Sequence, residues 1–255
     1  MALASQWQNF QRNLGEWRGN FTNLSPAGTV LDSSPSVLTL ESLEEGRLVR
    51  FGLRRWAPGT AQAITGGPAD GVGEPTREIQ QDYRTLGRQV VFFASGSFCK
   101  GALQVAPGTA FGGEFGFIEA DRRHRLVQLY GPDGNIQNLV LIREFRAGCG
   151  AEECGATTAD QLLGSWRGEQ ATISADWPEP DLTSSGLELD QASLSGLLLL
   201  PDGGFCRFPQ RVSHREAFML EAGWLPAPGR MERLIRRYDA SGAWLSATRE
   251  QLQRC

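Results

Sequence analysis

One six-residue phrase occurs twice in this chain: LGEWRG at residues 14–19 and LGSWRG at residues 163–168, 149 residues downstream. Tryptophan is seldom repeated by accident, and here it stands twice between two glycines and beside an arginine. Further echoes follow in the same order. GSFCKG (96–101) returns as GGFCRF (203–208), and RLVQLYGPDG (125–134) returns as RLIRRYDASG (233–242). Finally IREF returns as TREQ, matching Arg143 to Arg249 and Glu144 to Glu250. Anchors repeated in one order mark an internal duplication, so the fold must be one that half of a 255-residue chain can complete. The division falls in RAGCGAEECGATT, giving expected domains at residues 1–147 and 157–255, each with its own core.

Within each half the apolar pattern has period two, the signature of strands with distinct faces. In LVRFGL, Val49, Phe51 and Leu53 share one face while Arg50 and Arg54 occupy the other. GPDGN, PDGG and DASG supply the turns. Helical spacing is confined to the entry of each half. Leu3, Trp7, Phe10 and Leu14 form one apolar stripe, and Thr158 with Gln161 forms a capping box. The predicted class is all-β, with antiparallel sheets that curl to protect their edges. The Gly/Ala/Pro-rich stretch 57–75 has no counterpart in the second half and is predicted to be a mobile loop.

A short helix, a Gly-x-Trp strand and a late arginine together resemble the calycin (lipocalin-like) barrels. The resemblance implies two tandem lipocalin-like antiparallel barrels, each preceded by a short helix. It also implies structural closure of the first barrel by Gly15, Trp17 and Arg143, and of the second by Gly164, Trp166 and Arg249. In each, a guanidinium would lie over the indole face. The opening WQNFQRNLGEWRGNFTNLSPAGTV is similar to a two-barrel family of cyanobacteria and plastids, whose plastid member is a biogenesis factor required for ATP synthase. The implied function is that of a cytoplasmic, non-enzymatic assembly factor whose partners are ATP synthase F1 subunits.

The residues themselves narrow the chemistry. A net charge of -4 argues against nucleic-acid binding, which needs a basic surplus. No apolar run reaches the ~18 residues of a membrane span, and MALASQWQNF lacks the features of a signal peptide. The five cysteines are read as reduced thiols. No Gly-x-Ser-x-Gly elbow is present, and the only lysine, Lys100, lies where no phosphate loop would place it. His124 and His214 lie in opposite halves without metal-ligand spacing, so neither a metal nor a cofactor is expected. His124, within RRHR, is read as solvated; Cys99 and Cys206 are read as packing residues.

Two sets of residues are candidates for binding. For a protein partner they are Arg122, Arg123, Arg125, Arg233 and Arg236, suited to paired hydrogen bonds with carboxylates, and Trp177 in a Pro- and acid-rich loop. The alternative is a calycin cup holding a small hydrophobic ligand such as an open-chain tetrapyrrole (bilin). Arg50 and Arg54, on an inward face, would then hold its propionates.

Overall fold

A computed structural model describes residues 4–58 and 73–255, so most of the stretch predicted to be a mobile loop lies outside the described residues. Helix α1 (Gln6–Gln11) is opened by Ser5. Its hydroxyl accepts from the Gln8 N–H, while the Gln8 side chain accepts from the Ser5 N–H. The chain then runs through β1 (Gly15–Leu24), β2 (Val30–Leu43), β3 (Leu48–Arg55), β4 (Arg77–Tyr83) and β5 (Val90–Phe92). It continues through β6 (Phe98–Gly101), β7 (Phe111–Glu119), β8 (Arg122–Tyr130) and β9 (Ile136–Arg146). These nine strands form one antiparallel sheet in the order β4-β3-β2-β1-β9-β8-β7-β6-β5.

Helix α2 (Ala159–Leu162) opens the second half, where the Gln161 side chain accepts from the Thr158 N–H at 2.9 Å. Then come β10 (Gly164–Ser174), β11 (Asp181–Leu189), β12 (Leu198–Leu199) and β13 (Gly204–Arg207). The half ends with β14 (Phe218–Ala227), β15 (Arg230–Tyr238) and β16 (Trp244–Arg254). Their order is β11-β10-β16-β15-β14-β13-β12. In both halves the first strand pairs with the last, so each sheet curls. The result is two tandem lipocalin-like antiparallel barrels, each entered through a short helix. Neither closes its hydrogen-bonded ring: β4 and β5 are edges of the first sheet, β11 and β12 of the second.

The expectation of two separate cores is corrected. Each barrel does have an interior cluster, one around Trp17 with Leu38, Leu53 and Phe98, the other around Trp166 with Phe205, Met231 and Leu252. A third and larger cluster joins the halves. It packs Phe115, Phe117, Leu126 and Leu139 against Leu220, Trp224, Leu234 and Tyr238. The cause is visible in the strands: β7, β8, β14 and β15 bury both faces, one into their own barrel and one against the other half. Cys99 and Cys206 are fully buried in this shared core, where burial pushes the Cys99 thiol up to about 12 and raises that of Cys206. Both therefore serve packing.

The repeated phrase owes its glycines to backbone geometry. Gly15 and Gly164 sit at φ +126° and +115°, where an L side chain is strained. A Cβ on Gly19 would fall on the carbonyl oxygen of Arg143, and one on Gly168 on that of Gln251, because β1 lies against β9, and β10 against β16, too closely for one. At Gly186, on β11 of the same barrel, a Cβ would meet only the Trp166 carbonyl oxygen, at 3.9 Å. Gly168→Ala should therefore lose about 2 kcal/mol or more of stability, whereas Gly186→Ala should lose less than about 0.5 kcal/mol. Urea midpoints of the two variants check this; equal midpoints would refute the close-approach account.

Candidate functional site

At the base of each barrel an indole joins helix to sheet. Trp17 Nε1 donates to the Asn13 carbonyl at 2.9 Å, and Trp166 Nε1 to the Leu162 carbonyl at 2.8 Å. These carbonyls, at or just past the helix ends, have no partner within the helix. The guanidinium of Arg146 lies 4.4 Å from the Trp17 ring centroid and donates to the Leu14 carbonyl at 2.9 Å. Arg254 lies 5.4 Å from the Trp166 ring and donates to the carbonyls of Leu163 and, at 2.8 Å, Asp160.

The arginines expected at these positions, Arg143 and Arg249, are corrected. Strand register sets Trp17 opposite Arg146 and Trp166 opposite Arg254. Arg143 is an odd number of residues from Arg146 and so projects from the other face, where it pairs with Glu153 at 2.6 Å. Arg249 likewise pairs with Glu232 at 2.8 Å. The spacing of 108 that relates Arg125 to Arg233 also relates Arg146 to Arg254, so matching IREF to TREQ slips the register by two residues.

The interior of the first barrel is a cup of about 540 Å³ that reaches the edge strands β4 and β5. Two arginines expected to face a protein partner lie inside it. Arg123 sits 4.7 Å from the Trp17 ring and pairs with Glu144 at 2.7 Å. Arg125 pairs with Glu144 at 3.1 Å and Glu114 at 2.8 Å. Burial alone would raise the Glu144 carboxyl, but the two guanidinium groups hold it below the usual carboxylate range. Conversely, Arg50 and Arg54, expected inside, point outward. Phe51 and Leu53 take the inner face, Arg50 pairs with Asp82 at 2.8 Å on the outside, and Arg54 is exposed.

The second barrel is filled differently. Met231 and Leu252 stand where the first has Arg123 and Glu144 at the same spacing of 108. Arg233 pairs with Glu221 at 2.9 Å and Glu250 at 2.5 Å. Arg236 is fully buried between the halves, 4.8 Å from the Trp244 ring, and donates to the Gly101 carbonyl at 3.3 Å. All five arginines proposed for a partner are thus engaged within the molecule, Arg122 through Asp202 of the second half. Of that set only Trp177 is exposed, at 63%. Sequence reading missed Asn13 and Lys100, both of which line the cup. The signal for Lys100 was present, since it alternates with the packing residue Cys99 on a strand.

His124 is not solvated, as its neighbours in RRHR suggested, but almost completely buried between the halves. It stacks on Trp224 at 5.8 Å, with Nδ1 3.5 Å from Asp202, while Arg122 pairs with Asp202 and lies 5.1 Å over the same indole. Asp202 also accepts from the Cys154 N–H at 2.7 Å, so this carboxylate ties both halves to their linker. Burial outweighs Asp202 and holds His124 below its ordinary value. A histidine depressed in the folded state contributes stability at pH above about 6.5, and loses it as the pH falls below that value. The carboxylates Asp202 and Glu144, also depressed, lose theirs only below about pH 4. Wild type should therefore show a lower urea midpoint at pH 5.5 than at 7.5, and His124→Gln a smaller drop; an undiminished drop in His124→Gln would exclude His124 as its source.

A groove of about 1040 Å³ runs between the halves, with α1 on one side and β10 and the 178–180 loop on the other. No helix among the described residues is long and apolar enough to cross a membrane. Residues 3–149 match the family described as "Domain of unknown function (DUF3598), N-terminal". Residues 190–254 match "Biogenesis factor required for ATP synthase 1, C-terminal domain". The crystal structure of a protein of unknown function from the DUF3598 family of Nostoc punctiforme PCC 73102 is 34% identical, with a TM-score of 0.86 over 99% of this chain and 100% of that one. The S-type phycobiliprotein lyase CPES of Guillardia theta is 12% identical over 57% of this chain and 94% of its own, with a TM-score of 0.36 too low to bear on function. No curated protein matches the chain. By its first 149 residues and by its whole-length likeness to the Nostoc protein, the chain belongs to the DUF3598 family.

Proposed function

We propose that this protein is a cytoplasmic assembly factor for ATP synthase, acting on F1 subunits through protein–protein contacts and without chemistry of its own. The observation that carries this reading is the match of residues 190–254 to the C-terminal domain of an ATP synthase biogenesis factor. The surface is compatible with a docking role. Trp177 is 63% exposed and Leu182, at 61%, stands on the nearby edge strand β11. Between them Pro178, Glu179 and Pro180 form one wall of the groove between the halves. An exposed aromatic beside a concave wall has the character of a binding hot spot, where truncation to alanine costs about 2 kcal/mol or more. The interior arginines are withdrawn from this role because their guanidinium groups are already bonded within the molecule.

Affinity purification of the tagged full-length chain from a lysate of its source organism, read by mass spectrometry, tests the proposal. F1 subunits should be retained by wild type and depleted about tenfold or more in Trp177→Ala, with the thermal midpoint unchanged. Recovery without any ATP synthase subunit would overturn the assembly reading. Equal recovery by both forms would overturn the assignment of Trp177 alone.

A further inference from the structure

The first barrel holds a cavity that its own duplicate lacks the means to explain away. In the second barrel, Arg207 of β13 donates to the Ser193 carbonyl at 2.6 Å, so a segment of the chain itself satisfies the cation; Leu194 and Leu197 of that segment pack on the interior cluster. The duplication places Lys100 where the second half has Arg207. Phe98 packs in the barrel interior and Cys99 in the shared core, so the alternation of β6 returns Lys100 to the inner face, where it lines the cup. The Lys100 side chain is exposed to solvent, and among the described residues its ammonium makes no hydrogen bond or ion pair. Its cross-strand neighbour Glu114 is engaged by Arg125 at 2.8 Å. Of the described cations lining the cup, Arg123 and Arg125 are matched by Glu144 and Glu114, and Arg84 by Glu44, which leaves Lys100, exposed to solvent, as the one without a carboxylate partner.

A second observation points the same way. Asn13 is 2% exposed and lines the cup; its Nδ2 donates to the Gly96 carbonyl at 2.8 Å, while its Oδ1 has no partner. A buried acceptor left unpaired is costly, and a ligand donor would relieve it. The remaining wall combines apolar Leu38, Phe51 and Phe98 with polar Gln81, Arg84 and Gln89, and the volume of about 540 Å³ falls within the roughly 300–1,000 Å³ typical of small-molecule sites.

We propose that the first barrel binds an amphipathic monoanion, an aromatic or acyl body carrying one carboxylate or sulfonate. The head group pairs with Lys100, the body lies against Leu38, Phe51 and Phe98, and Asn13 Oδ1 accepts from an N–H or O–H on that body. The site is independent of the assembly reading, since nothing in it requires a protein partner.

The test is a fluorescence titration of the full-length chain with 8-anilino-1-naphthalenesulfonate, an aromatic monoanion bearing one N–H, set against its uncharged analogue N-phenyl-1-naphthylamine. Wild type should bind the sulfonate saturably at one site, and decanoate should displace it. Lys100→Gln should weaken the sulfonate about tenfold, equivalent to about 1.4 kcal/mol, and leave the neutral analogue unchanged; Lys100→Arg should restore the sulfonate. Leu38→Trp, which fills the cup, should abolish binding of both probes while the far-ultraviolet circular dichroism is preserved. The proposal is overturned by absence of saturable binding, by a sulfonate affinity indifferent to Lys100→Gln, or by equal weakening of both probes.

Discussion

The fold turns on an indole held between a helix end and a guanidinium. Each barrel must bring a short helix, its first strand and its last strand to one point, and the helix ends arrive with backbone carbonyls that have no partner within the helix. Trp17 and Trp166 satisfy one such carbonyl through the ring N–H, and Arg146 and Arg254 satisfy others while lying over the ring. The cation gains from the indole face, by about 0.5–2 kcal/mol depending on desolvation. Gly19 and Gly168 follow from this arrangement, because a side chain there would displace the last strand, which carries the arginine, while Gly15 and Gly164 are set by their positive φ. The same phrase recurs because the same joint is built twice.

Around this joint the copies have diverged in opposite senses. The second barrel replaces the arginine and glutamate near the indole by Met231 and Leu252, and fills its interior with leucines. The first keeps a network of Arg123, Arg125, Glu144 and Glu114 beside an open cavity. A buried ion-pair network of this kind is weak evidence for stability, since desolvation offsets much of its attraction. The back-to-back packing through Phe115, Trp224 and Tyr238 makes the two barrels one body with a large shared core. That shared face takes up Arg122 and Arg236, while Arg123, Arg125 and Arg233 are paired within their own barrels.

The barrel class, the two entry helices and the duplicated indoles were legible in the sequence, because each is written in local period or in repeated letters. Which face of a strand points inward was not. Arg50 and Arg54 alternate with Val49, Phe51 and Leu53 whichever side faces the core, and only the register against β2 and β4 decides it. Arg122, His124 and Arg236 looked like a solvated basic surface because sequence shows nothing of the opposite half that each of them packs against. The two arginines of the joint were misassigned: Arg143 lies three residues before Arg146 and Arg249 five before Arg254, odd numbers that turn both away from the indoles.

A double-mutant cycle between Trp17→Phe and Arg146→Ala, with urea unfolding as the readout, tests the joint most directly. A coupling of about 1 kcal/mol is expected for that pair, and none for the parallel cycle between Trp17→Phe and Arg143→Ala. Zero coupling with Arg146, or an equal coupling with Arg143, would contradict the account.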